Sequence, residues 1–111
     1  MDGIYAMYFT GRSGSGHAIL VMKDGVIAGA DACGITFDGT YKPSGETIHV
    51  SLNMTVPPGV TLVTGAVAGQ EPMTQELETA LPVDFADGNA VPVKTPTGPV
   101  NVIFRRIRDA V

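Results

Sequence analysis

The chain has 111 residues and a mass of 11.5 kDa, the size of one domain. Hydrophobic residues make up 44% and charged residues 16%, a balance that buries a core and excludes a disordered chain. A net charge of −4 and a pI near 4.8 argue against a direct nucleic-acid footprint, which wants clustered Lys and Arg.

Valine, isoleucine and threonine number 13, 7 and 11, against 5 leucines and no tryptophan. Stiff β-branched side chains suit a pleated sheet, and 14 glycines with 8 prolines suit the turns between short strands. In chain order, 4–10 is the first predicted strand, with Tyr5, Met7 and Phe9 on one face. Strands at 18–22 and 26–30 follow, joined by Lys23-Asp24-Gly25, the Asp-Gly signal of a tight hairpin. The expected inward residues here are Ala18, Ala28 and Ala30. A second hairpin is expected near Gly39-Thr40-Tyr41, with Lys42-Pro43-Ser44-Gly45-Glu46 as its turn. Thr47–Val56 is the clearest strand, because Ile48, Val50, Leu52, Met54 and Val56 alternate with polar residues until Pro57-Pro58-Gly59 ends the ladder. A short strand is expected at 60–63 and a loop at 65–70. Segment 73–81 has two readings. Helical spacing groups Met73, Leu77, Ala80 and Leu81, whereas period two turns Met73, Leu77, Thr79 and Leu81 inward with Glu76 and Glu78 outward. The surrounding β pattern favours strand. Strands at 91–94 and 100–107, the latter with Val100, Val102 and Phe104 on one face, flank a loop at 95–99. About eight strands in sequential hairpins predict an all-β, antiparallel, up-and-down β-barrel as a single domain over 1–111; a two-sheet sandwich is the less regular alternative.

Few residues suggest chemistry. Gly11-Arg12-Ser13-Gly14-Ser15-Gly16 is rich in glycine like a phosphate-cradling loop, but His17 and Ala18 stand where that loop needs Lys and Ser or Thr. A hairpin loop is the plainer reading. His17 and His49 are the only histidines, and no spacing gathers them with Cys33, Asp31 or a glutamate into a metal site or a nucleophilic constellation. Cys33, in a run of small residues, reads as a buried inert thiol. Glu76 and Glu78 read as a solvated face. Arg105, Arg106 and Arg108 form the one basic cluster, best explained as solvating an edge or pairing with Asp109 or nearby carboxylates. No catalytic residue, metal or cofactor is therefore expected.

Two other features point to binding. Ile19, Val21, Ile27 and Ile103 fall on faces opposite the expected core, and apolar residues outside a barrel call for a cover, most simply a second copy. Inside, Tyr5, Met7, Phe9, Met54 and Phe104 either fill the barrel or line a space for one small apolar ligand. With one cysteine, no long apolar run and no basic segment at Met1-Asp2-Gly3, the expected location is the cytoplasm, away from membranes.

Met1-Asp2-Gly3-Ile4-Tyr5 with Phe9, the hairpin at 16–30, Ala28-Gly29-Ala30-Asp31, Tyr41 and the strand 48–56 together resemble the GrlR-type family of bacterial proteins, over roughly residues 1–56. That family includes a negative regulator of a type III secretion gene cluster. The resemblance implies a lipocalin-like (calycin) barrel, a homodimer, and function by contact with a regulatory protein. In the family's regulator a surface run Glu-Asp-Glu-Asp serves that contact. The matching place here, with Lys42, Ser44, Gly45 and Glu46 as partner-facing candidates, holds the single acid Glu46.

Overall fold

The structure, a computed structural model, describes residues 2–111; Met1, the first residue of the resemblance, lies outside them. Eight strands follow in order: β1 Gly3–Gly11, β2 Gly14–Lys23, β3 Val26–Asp31, β4 Thr36–Ser44, β5 Thr47–Val56, β6 Met73–Pro82, β7 Asp87–Thr95 and β8 Gly98–Arg108. They form one antiparallel sheet in the order β6-β5-β4-β3-β2-β1-β8-β7. Each strand pairs with the next except β6 with β7, and β8 returns to pair with β1. The result is an all-β, up-and-down, lipocalin-like barrel, closed except for one seam. Among the described residues no helix is long and apolar enough to cross a membrane.

The seam lies between β6 and β7, where no ladder joins the strands among the described residues. Both edges carry residues that discourage further pairing. Pro92 in mid β7 offers no N–H, and exposed Glu76 and Glu78 charge the outer face of β6.

Tight turns set which residues face inward. Asp24 and Gly25 both have positive φ, 52° and 82°, as a two-residue primed turn requires. Lys23 then pairs with Val26, so Met22 and Ile27 share the opposite, inner face. The expectation of an outward Ile27 is thereby overturned: it is 2% exposed, while Ala28 and Ala30, expected inside, lie outside. Ala18 is buried as expected. The turn into β5 is also shorter than expected. Ser44 pairs with Thr47, so only Gly45 and Glu46 form the turn and Lys42 to Ser44 belong to β4.

Segment 73–81 lies wholly within strand β6, with Leu81 buried and Glu76 and Glu78 exposed. The expected strand at 60–63 is instead part of a long connection, 57–72, that holds only one bridge, Thr61 to Val67. Its inward residues Leu62 and Ala68 are buried, and Ser13 N–H donates to the Val63 carbonyl at 2.8 Å. The connection folds over one end of the barrel as a cap, beside the β1–β2 and β7–β8 turns.

The other end is sealed by aromatic packing. Phe85, from the β6–β7 turn, meets Tyr5 and Phe104 with ring centroids 5.2 Å away in each case. Arg106 crosses this base 5.8 Å above the Tyr5 ring and donates to the Asp2 carbonyl at 2.8 Å.

Candidate functional site

Between the aromatic base and the cap lies a cavity of about 180 Å³. Its wall is mainly apolar and comes from every strand, because every strand contributes its inward set. Met7, Phe9, Met54 and Phe104, expected inside, line it. Tyr5 is buried too, but it belongs to the base below the cavity. Leu62 and Val63 of the cap close the upper end, and the exposed residues Ser15, Cys33 and Thr61 on the margin place the mouth there.

One polar group stands in the wall with little exposure of its own. Gln75, on β6, is 5% exposed and lines the cavity. Thr97, in the β7–β8 turn, donates from Oγ1 to Gln75 Oε1 at 2.9 Å and lies 3.0 Å from Thr64 Oγ1 of the cap. This chain of side chains ties the cap to both sides of the seam where backbone pairing is missing. Gln75 escaped the sequence reading, although a glutamine between Met73 and Leu77 on an inward face was a visible signal.

Asp31 is the acid of the cavity wall. Its carboxylate accepts from the N–H groups of Cys33 and Ile35 at 2.9 and 3.0 Å, so it shapes the β3–β4 turn. Cys33 in that turn is exposed, against the expectation of a buried thiol, because the turn backbone is held to Asp31 and its side chain is left outside. The glycine-rich segment forms the β1–β2 hairpin. Its Gly11 has a steric reason: a Cβ there would stand 2.5 Å from the Val63 carbonyl of the cap.

The histidines are not brought together. His17 and His49 are exposed on β2 and β5, which are not neighbours, and among the described residues no three His, Cys, Asp or Glu side chains form a metal-binding group. Arg106 pairs with Asp109, whereas Arg105 and Arg108 are exposed. At the base the Tyr41 hydroxyl donates to the Asp2 carboxylate, which holds that carboxyl below its usual range. Burial, then this bond, pushes the Tyr41 phenol up.

Outside, the barrel is unequal. Across β8, β1, β2 and β3 the ladders set Tyr8 beside Ile103, Ala6 beside Ile19 and Ile4 beside Val21, with Ala30 and Ala28 next in line. Tyr8 is 48% exposed, Ile19 46% and Val21 37%; Ile103 is half-buried. The outward residues of β4, β5 and β6 include Asp38, Lys42, His49, Ser51, Asn53, Glu76 and Glu78. Gly45 and Glu46, with Lys42 and Ser44, are exposed at the β4–β5 tip on the sealed end. No protein-family model matches the chain, and no curated protein matches it in sequence.

Proposed function

We propose that this protein is a non-enzymatic interaction module that works as a homodimer, in the manner of GrlR-type negative regulators, in the cytoplasm of a bacterial cell. The observation that carries this reading is the one-sided apolar exterior of β8, β1, β2 and β3. A strip with Tyr8, Ile19 and Val21 open to solvent gains by meeting its own kind, since a two-fold contact pairs the same patch on both copies. The exposed tip with Lys42, Ser44, Gly45 and Glu46 lies away from that strip and serves as the face for a regulatory protein. No direct contact with nucleic acid or membrane enters this reading, in keeping with the acidic charge.

A second reading, a carrier of a small apolar ligand, is supported by the cavity itself. Native mass spectrometry on gently purified protein tests both. A dimer without added mass is the expected result for the interaction module. A bare monomer overturns the self-contact, and a small extra mass lost on denaturation transfers the function to the cavity.

A further inference from the structure

We infer that the cavity is a binding site for a small neutral monocyclic molecule bearing one oxygen acceptor, anchored by the side-chain amide of Gln75. This inference rests on the carrier reading and specifies its ligand. Size is the first argument. A cavity of about 180 Å³ slightly exceeds the roughly 150 Å³ of an apolar protein cavity that takes up benzene, and falls below the roughly 300–1,000 Å³ of sites for drug-sized molecules. One ring with a short substituent fits; a long acyl chain or a fused polycycle does not.

Charge is the second argument. The wall holds no Lys or Arg, and its one ionisable acid is Asp31 at the mouth. A carboxylate ligand would enter past a like charge and find no cation inside, so the ligand is neutral.

The third argument is an amide with half its capacity unused. Gln75 Oε1 is occupied by Thr97, whereas Nε2, with two N–H donors, has no protein acceptor among the described residues. No buried side-chain nitrogen or oxygen among those residues is both sealed and unpaired, so Nε2 keeps accessible surface, and its residue lines the cavity. Thr97 and Thr64 fix the amide's other end, and the donors are held ready rather than free to swing. An ether, carbonyl or hydroxyl oxygen on the ring's substituent satisfies them, while the ring itself lies among Met7, Phe9, Met54 and Phe104.

The test uses the full chain with labelled methionine methyls and side-chain amides, titrated with anisole, ethylbenzene and decanoate. Anisole and ethylbenzene have nearly the same shape and differ by an oxygen in place of a methylene. Both are expected to move the Met7 and Met54 methyl signals, and anisole alone is expected to move the Gln75 amide signal. In Gln75→Met the affinity of anisole relative to ethylbenzene should fall roughly threefold to tenfold, the worth of one hydrogen bond. The amide signal of the unmodified protein decides the matter even if that variant fails to fold. If both probes bind but the amide is silent and the ratio unchanged, the Gln75 anchor is overturned and the carrier reading stands. Tighter binding of decanoate than of anisole overturns the size and charge class alone. If neither ring compound moves the methyls, the inference and the carrier reading fall together.

Discussion

The Asp2–Tyr41 contact shows how a single pair near the chain start bears on the whole barrel. Tyr41 is buried near the end of β4, and its hydroxyl reaches an exposed carboxylate just before β1. The two ionisations oppose each other in sign. The folded Asp2 carboxyl lies below its unfolded value, so its contribution is present above that value and is lost as pH falls through the folded one. The folded Tyr41 phenol lies above its unfolded value, so its contribution is present below that value and is lost as pH rises through the folded one. Urea midpoints followed on both sides of neutrality should therefore decline at both ends in the unmodified protein. Asp2→Asn should flatten the acid limb and Tyr41→Phe both limbs. The acid effect should be small and weaken with salt, because Asp2 is exposed. An acid limb identical in Asp2→Asn and the parent removes the pair from the account of stability.

At the scale of elements, the cap over the barrel end depends on a close backbone approach. A Cβ at Gly11 would meet a carbonyl of the cap at 2.5 Å, and a carbonyl cannot rotate aside as the tip of a long side chain does. Gly11→Ala should cost about 1–3 kcal/mol, the range for steric overpacking. The cost should fall on the cap. Amide exchange at Ser13, whose N–H donates to Val63, should accelerate, while amides in the middle of β5 keep their protection. Uniform acceleration through the sheet would mean that cap and barrel open as one unit.

The same elements show what the sequence made legible. Strict alternation in Thr47–Val56 marked a strand with its inner face correctly, since period two belongs to a half-buried sheet, whereas 73–81 carried two readings and only the surrounding β pattern favoured the strand it forms. The β2–β3 hairpin carried its own parity, because a two-residue turn puts the residues flanking it on one face. That parity requires Met22 and Ile27 inside and Ala28 outside. Placing Ala28 and Ala30 inside and Ile27 outside ran against that parity. The cap had no such signature. Leu62 and Ala68 are buried by an irregular connection whose backbone hydrogen bonds run within itself apart from the one it accepts from Ser13, and no periodicity announces that. The cavity depends on how inward side chains from all eight strands fail to fill a volume, which is a property of closure and not of any one strand.

For the whole molecule, the outer surface decides between a solitary barrel and an assembled one. A barrel of this size exposes 6255 Å², and a standard interface takes roughly 800 Å² from each partner. The strip across β8, β1, β2 and β3 supplies aromatic and aliphatic side chains at its centre and charge at its margin. Arg105 continues the row of Ala6 and Ile19, and Arg108 the row of Ile4 and Val21. An apolar centre with a charged rim is the usual anatomy of a contact surface. Ile19 lies between Ala6 and Ala30, in the middle of the strip, so a carboxylate there would be desolvated on association without a cation facing it. Ile19→Asp should thus weaken a dimer by more than about 2 kcal/mol, roughly thirtyfold in dissociation constant, as read by sedimentation equilibrium. The barrel should stay folded, because an outward strand position already 46% exposed tolerates a polar group. On the opposite wall, Ser51→Asp adds the same charge on β5, beside Glu78 of β6, and should leave association unchanged. Equal loss from both substitutions would place the effect in net charge, and no loss from Ile19→Asp would move the self-contact off this strip.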